Sequence, residues 1–199
     1  MRYEEFALVG RDLFASGLIS SHGGNLSVRM GDRVLITRRG AMLAHLTDED
    51  IIETGLHKND SGVALASSEI IVHRAIYRQT NALAVVHAHP LCAVTLSLYQ
   101  DTLVPVDSEG SYLLHQVPVV AAAMTIGSEE VASLVAPVLA SYRVVVVRGH
   151  GSFAVGQFLE EAWQWTSALE ASCQILYRVK LLGQPIKEYR QQSENYHTW

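Results

Sequence analysis

Cysteine is rare and positive charge is in deficit in this chain of 199 residues. The two cysteines, Cys92 and Cys173, are too few for a disulfide framework, so we expect a reducing compartment. The formal net charge is −5 and 18% of the residues are charged, which gives nucleic acid or an anionic membrane surface no electrostatic reason to bind. No apolar run approaches the length that crosses a bilayer, so we expect no membrane span.

A secretory signal is not recognisable at the beginning of the sequence. Charged side chains stand where the apolar segment of a signal would lie: Arg2, Glu4, Glu5, Arg11 and Asp12. Hydrophobic residues make up 49% of the chain, which is typical of a compact globular protein and argues against disorder. We therefore expect a soluble, cytoplasmic, single-domain protein, because 199 residues suffice for one substantial core and are short for two.

The apolar pattern predicts helices and strands that alternate along the chain. The four valines of 144–147 indicate a buried strand, and an apolar stripe predicts a long helix over 159–182 that Gly183 ends. Thr47, followed by three acidic residues, is typical of a helix N-cap. Because the two kinds of element interleave, we expect a sheet that is covered by helices on both faces.

Three histidines follow predicted buried strands. His87 and His89 lie two residues apart at a strand end, so both side chains leave the same face. This pair alone fits an ordinary structural role as well as a metal site. His150, which follows the 144–147 strand between two glycines, favours the metal site, because three imidazoles can supply the protein ligands of a catalytic zinc ion.

Two polar segments have both a structural and a functional interpretation. Ser67, Ser68 and Glu69 precede a predicted helix, where serine caps and glutamate favours the positive end of the helix dipole. The same hydroxyls and free amides can bind phosphate. The glycine-bearing segment 23–27 is a turn on one interpretation and an anion-binding loop on the other.

Five short motifs, in order and at the right spacing, resemble those of the class II aldolase/adducin family, and most closely its L-fuculose-phosphate aldolase branch. The motifs are Gly24-Asn25-Leu26-Ser27, Thr37-Arg38-Arg39-Gly40, Ser67-Ser68-Glu69, His87-Ala88-His89-Pro90 and Gly149-His150-Gly151. The resemblance implies a three-layer α/β/α sandwich around a central, mainly antiparallel sheet, formed by residues 1–183. It also implies a homotetramer with active sites between subunits. Residues 184–199 would then form a C-terminal tail that can fold over the active site.

The resemblance also implies the chemistry. His87, His89 and His150 match the ligands of one zinc ion per subunit, and Glu69 matches the catalytic acid/base. The expected reaction cleaves L-fuculose 1-phosphate, or a similar phosphorylated ketose, into dihydroxyacetone phosphate and a small aldehyde such as lactaldehyde. A Lewis-acid metal stabilises the enediolate that this cleavage leaves, while the carboxyl group moves the proton at C3.

The residues that match the binders of the substrate phosphate are Asn25, Gly40, Ser67 and Ser68. Two departures from the family pattern bear on specificity. Arg39 stands where the family has a phosphate-binding serine, and its guanidinium is expected to face the anion. The alternative is an arginine that faces solvent or pairs with a carboxylate of a neighbouring subunit. The family's tyrosine, four residues before the position of Gly127, is missing, and the candidates to replace it are Tyr112, Glu109, Tyr189 and Tyr196.

Other functions of the same superfamily stay open on sequence alone. A 4-epimerase of L-ribulose 5-phosphate usually has an aspartate at the position of Glu69 and a longer C-terminal region, so the glutamate and the short chain favour the aldolase. Sugar-phosphate decarboxylases and a dehydratase share the three histidines. A scaffold of the adducin type, which lacks the metal site, is opposed by the intact histidines and Glu69.

Overall fold

The computed structural model describes residues 2–187 of the chain. The helices are α1 (Arg2–Ala15), α2 (Ile70–Gln79), α3 (Leu91–Ser97), α4 (Ser108–Leu114), α5 (Glu129–Val138) and α6 (Leu159–Leu182). The strands are β1 (Asn25–Met30), β2 (Arg33–Thr37), β3 (Ile51–Gly55), β4 (Ala84–Ala88), β5 (Thr102–Leu103), β6 (Val117–Val120), β7 (Val144–Val147) and β8 (Gly151–Gly156).

The described strands form one sheet in the order β3-β2-β1-β4-β8-β7-β6-β5. Every neighbouring pair is antiparallel except β6 and β7, which run parallel. This arrangement confirms the predicted mainly antiparallel central sheet.

Helices cover both faces of the sheet, as predicted. The valines of β7 show why, because Val144 and Val146 pack into one core while Val145 and Val147 pack into the other. Helices α1, α3, α4 and α6 contribute to the first core, and α2 and α5 contribute to the second. The chain therefore has the predicted three-layer architecture.

Two predicted helix boundaries have different outcomes. Helix α6 ends before Gly183, whose φ of 61° is the left-handed conformation that glycine adopts easily, as predicted. Thr47 is a helix N-cap with acidic residues in the first turn, as predicted, but the helix that it caps is a single 3₁₀ turn, Asp48–Asp50. The strand β3 begins at the next residue and leaves no room for a longer helix.

Part of the predicted C-terminal tail lies outside the described residues. The structure describes residues 184–187 of this tail, and residues 188–199, with Tyr189 and Tyr196, lie outside the described residues. Within residues 2–187, none of the helices combines the length and the apolar character that crossing a membrane requires.

The register of three adjacent strands places the candidate site. Asn25 at the start of β1 lies opposite His87 near the end of β4, and His87 lies opposite Phe153 on β8. Partners that lie opposite each other in an antiparallel pair project from the same face of the sheet. The edge of the sheet at which β4 ends therefore also carries the start of β1 and the turn between β7 and β8.

Candidate metal centre

The three predicted histidines converge at this edge of the sheet. His87 is on β4, His89 follows the same strand, and His150 lies in the turn between β7 and β8. Each offers one ring nitrogen, and these atoms all lie within 4.8 Å of one another. The three histidines thus form a cluster that could bind a metal ion.

The spacing of the nitrogen atoms fits one shared ion. The Nε2 atoms of His87 and His89 are 3.1 Å apart. Two nitrogens that each lie about 2.0–2.1 Å from a tetrahedral zinc ion are separated by about 3.3 Å. Only small adjustments of the two rings would bring both nitrogens to bonding distance of one ion.

The protonation of the three histidines also fits metal binding. Burial, followed by the neighbouring His89 and His150, holds the pKa of His87 well below its usual value. Burial lowers the pKa of His89 in the same direction. Burial and the neighbouring His89 lower the pKa of His150 to about 4. All three imidazoles are therefore neutral near pH 7, which is the form that binds metals.

His87 is oriented by β8. Its Nδ1 lies 2.9 Å from the main-chain oxygen of Ser152, which can only accept a hydrogen bond. Nδ1 therefore carries the proton, and Nε2 is left with a lone pair for a metal ion. The ring also stacks on Phe153, with 4.2 Å between ring centroids and 22° between the planes. Sequence reasoning missed both contacts.

A glycine on β8 makes room for the histidine rings. A Cβ atom on Gly151 would lie 2.4 Å from the oxygen of Ala88, 2.6 Å from Cδ2 of His89 and 3.1 Å from Cε1 of His87. Contacts under 3.0 Å force a shift of the neighbouring atoms, here of the Ala88 oxygen and the His89 ring, and the contact of 3.1 Å requires the His87 ring to give way slightly. Gly151, which follows His150, therefore leaves the space that the rings of His87 and His89 occupy.

We expect Gly151→Ala to weaken Zn²⁺ binding by more than about 10-fold, because misplacing groups that orient metal ligands typically costs 10–100-fold in affinity. Chelator competition measures this change, and circular dichroism checks the fold. Gly17→Ala is the matched control, since Gly17 has a φ of 70° and no atom within 4 Å of the added Cβ. That control should lose roughly 1–2 kcal/mol of stability and keep its metal affinity. Wild-type affinity in Gly151→Ala would contradict the crowding argument.

Glu69 lies directly before α2 and is 3% exposed. Its Oε1 accepts a hydrogen bond from the Gly127 amide at 3.0 Å. Its Oε2 is buried and has no hydrogen-bond partner within residues 2–187. Burial raises the pKa of Glu69 to about 7, against the opposing effect of the Gly127 hydrogen bond. A carboxyl group with such a pKa can both give and take a proton near neutral pH.

The predicted phosphate-binding segments are adjacent in the structure. The Thr37 oxygen accepts a hydrogen bond from the Ser67 amide at 3.1 Å, and the Leu65 oxygen accepts one from the Arg39 amide at 2.9 Å. The Thr37 hydroxyl accepts the amide of Leu26, next to Asn25. These bonds bring the end of β2, the start of β1 and the residues before α2 together.

The four predicted phosphate binders differ in exposure. Asn25 and Ser67 are buried, and Oδ1 of Asn25 finds no hydrogen-bond partner in the described part of the chain. Ser68 and Gly40 are exposed, and Gly40 has a φ of 68°. An anion at this place would therefore meet both buried and solvent-facing donors.

The neighbouring arginines have different surroundings. Arg38 donates hydrogen bonds of 3.0 and 2.8 Å to one carboxylate oxygen of Asp50. Arg39 is exposed, and no carboxylate among residues 2–187 pairs with it. The charge of Arg39 is therefore not neutralised within residues 2–187, and binding of an anion or of a neighbouring subunit's carboxylate both stay predictions.

The candidates for the missing tyrosine lie elsewhere. Ala123 occupies the predicted position in an exposed loop. Tyr112 and Glu109 are on α4, which packs against α6 on the opposite face of the sheet from α2. Tyr189 and Tyr196 fall outside the described residues.

A buried polar group behind the site was missed at sequence level. His73 on α2 is fully buried, and its Nδ1 lies 2.6 Å from the Ser27 hydroxyl, which also lies 2.6 Å from the Tyr77 hydroxyl. Burial lowers the pKa of His73 to about 3. The available signal was the four-residue spacing of Glu69, His73 and Tyr77, which places three polar groups on one helix face.

Comparison with known proteins gives consistent matches. Residues 4–177 match the family described as class II aldolase and adducin N-terminal domain. A solved L-fuculose-1-phosphate aldolase from Thermus thermophilus is 44% identical with a TM-score of 0.87, and the match covers 92% of this chain and 97% of that one. An L-fuculose phosphate aldolase of Methanococcus maripaludis is 29% identical, covering 89% of this chain and 97% of the relative. A methylthioribulose-1-phosphate dehydratase of Acidiphilium cryptum is 31% identical, covering 85% and 86%.

Proposed function

This chain belongs to the class II aldolase and adducin family, and from that premise we propose that it is a zinc-dependent aldolase acting on a phosphorylated ketose. The proposed reaction releases dihydroxyacetone phosphate and a small aldehyde, with L-fuculose 1-phosphate or a similar sugar as substrate. The enzyme class is that of the lyases, in line with the aldolase relatives.

One observation carries the proposal. Three neutral imidazoles, those of His87, His89 and His150, converge at the same sheet edge as the buried phosphate candidates, and Glu69 lies buried with a raised pKa. A scaffold would have no need to bury a carboxyl group with a free oxygen, because that burial costs stability. Carboxyl groups whose pKa is strongly perturbed by burial are typical of catalytic sites.

In the proposed mechanism the metal ion stabilises negative charge and the side chains transfer the proton. When bound by the three histidines, a divalent ion supplies Lewis acidity that stabilises negative charge on the donor half of the substrate. Glu69 moves the proton at C3, in either direction, from its unpartnered Oε2. Its Oε1 stays fixed by the Gly127 amide, so the free oxygen keeps a defined direction.

The anion-binding residues orient the substrate. Asn25, Ser67, Ser68 and the amide of Gly40 would hold the phosphate, so that the reacting carbon faces the histidines and Glu69. Binding energy from a remote phosphate raises the rate by fixing the reacting groups in place. The site would hold one zinc ion per subunit.

We further propose a cytoplasmic homotetramer with active sites between subunits. Large apolar side chains are exposed just after α3 and in the segment between β6 and α5: Tyr99 at 84%, Met124 at 68% and Ile126 at 64%. Exposed apolar patches of this kind mark contact surfaces, and a second subunit could bring the missing acid group. A mass measurement in solution tests the assembly.

A substrate screen tests the reaction. Purified protein is incubated with a series of phosphorylated ketoses, with added Zn²⁺ or with chelator, and dihydroxyacetone phosphate is measured. We expect zinc-dependent release from at least one 1-phosphoketose. Bound zinc without release from any ketose would refute the aldolase. Loss of water from a 1-phosphoketose would instead identify a dehydratase, the second candidate, which the 31% identical relative favours.

Arg39→Ala tests recognition of the anion. Charge-assisted hydrogen bonds contribute roughly 1.5–3 kcal/mol, so kcat/KM for a phosphorylated ketose should fall by about 10- to 100-fold. A neutral ketose should be almost unaffected. Arg11→Ala on α1 controls for the change in net charge. Equal losses on charged and neutral substrates, or no loss on either, would show that Arg39 does not bind the anion.

A further inference from the structure

Helix α3 lies between two of the candidate metal ligands. It begins two residues after His89, and its first turn is held by Glu170 of α6, which is buried. Both carboxylate oxygens of Glu170 accept a hydrogen bond from the Cys92 amide at 3.0 Å, and Oε2 accepts a second one from the Ala93 amide at 3.1 Å. The end of α3 that follows His89 is therefore fixed to the core by charge-assisted hydrogen bonds.

The other end of α3 contacts the turn that carries His150. Ser97, the last residue of α3, is fully buried. Its hydroxyl accepts the Gly149 amide at 3.0 Å and donates to the Val94 oxygen at 2.6 Å. Its main-chain oxygen accepts a hydrogen bond from Nη1 of Arg148 at 2.8 Å.

The side chains of this turn also contact Asp101, through Arg148, and the Thr125 backbone, through His150, but its backbone makes few hydrogen bonds to other elements. Gly149 is exposed and has a φ of 69°, a conformation that glycine also leaves easily. The described hydrogen bonds of its backbone to other elements are those of Gly149 to Ser97 and of the Arg148 amide to Val120 at 2.8 Å. Removal of the Ser97 hydroxyl would leave the Gly149 amide without its acceptor.

We propose that α3 is a brace that sets the position of His150 relative to His89, and that Ser97 is a positioning residue for the metal centre. The inference rests on the proposed metal ligands and does not depend on the reaction. Glu170 fixes the first turn of α3, and the hydrogen bonds of Ser97 fix the turn of His150 relative to the other end of α3. The alternative is that the Ser97 hydroxyl serves only the stability of the fold.

Zinc affinity distinguishes these roles. Full-length wild-type protein, Ser97→Ala and Thr95→Ala are titrated with Zn²⁺ against a competing chelator. Thr95 is the matched control, because its exposed hydroxyl donates to the Leu91 oxygen within the same helix at 2.8 Å. We expect about 10-fold weaker Zn²⁺ binding in Ser97→Ala, the lower end of the effect of groups that orient metal ligands. Thr95→Ala should bind like the wild type.

The visible spectrum of bound Co²⁺ gives a second readout, since it reports the ligand geometry and needs no turnover. We expect an altered spectrum in Ser97→Ala and an unchanged one in Thr95→Ala. Wild-type affinity and spectrum in Ser97→Ala would overturn the brace, as would equal losses in both variants. If Ser97→Ala fails to fold, Arg148→Met, which removes the other described hydrogen bond between this turn and Ser97, replaces it under the same criteria.

The outcome also separates this inference from the proposed function. Wild-type protein that binds neither Zn²⁺ nor Co²⁺ would overturn the ligand set and the brace together. Bound metal without aldolase turnover would overturn only the reaction. Weakened binding in Ser97→Ala would then still support the brace.

Discussion

Replacement of His89 by alanine is expected to remove bound zinc and nearly all activity while the fold persists. His89 is partly exposed at the end of β4, so its loss leaves the core intact, unlike the loss of the fully buried His87. A catalytic metal supplies several kcal/mol of charge stabilisation, so we expect a loss of roughly 10³-fold or more in kcat/KM. His150→Ala should behave in the same way. Metal analysis of the dialysed protein and circular dichroism provide the measurements.

The control for this prediction is His45→Ala. His45 is exposed in a short 3₁₀ turn that packs against α1, and it lies outside the histidine cluster. This variant should keep both zinc and turnover. One equivalent of tightly bound zinc in His89→Ala or His150→Ala would refute the ligand assignment.

Replacement of Glu69 by glutamine is expected to lower kcat by roughly 10²–10⁴-fold, the range of general acid–base catalysis. Glutamine keeps the shape of the side chain and can still accept the Gly127 hydrogen bond, but it cannot exchange a proton. Zinc content should change little. Glu129→Gln, at the exposed start of α5, is the control and should retain wild-type kcat. Normal turnover in Glu69→Gln would reduce Glu69 to a structural residue before the helix.

The stability of the metal-free protein provides a second test of Glu69. Because burial raises the pKa of Glu69 to about 7 in the folded state, ionisation favours the unfolded chain, in which the pKa is about 4.3. The folded protein therefore loses stability as pH rises from about 4.5 to about 7. Glu69→Gln should escape this loss and gain roughly 2–4 kcal/mol on the wild type at pH 8, but little at pH 4. Urea unfolding measures the difference, and an equal gain at both pH values would contradict it.

The amino-acid sequence alone determined the local features of this protein. Alternation along a strand places the side chains of His87 and His89 on the same side, and in the structure their Nε2 atoms are 3.1 Å apart. The apolar stripe and Gly183 predicted the last helix with its observed ends. These predictions succeed because they depend on backbone periodicity and on the conformational freedom of glycine. Both are properties of residues that are close together in the sequence. The N-cap predicted at Thr47 is confirmed, but its helix is only one 3₁₀ turn long because β3 begins directly after it.

Only the tertiary structure decided the environment of each side chain. The raised pKa of Glu69 follows from its burial beside the amide of Gly127, 58 residues further along the chain. The bond from the Gly149 amide to Ser97 joins residues 52 apart. A sequence pattern shows which face of a helix or strand is apolar, but it does not show which other elements pack there. Burial, charge proximity and hydrogen-bond partners are set by that packing, and they control proton affinity and ligand geometry.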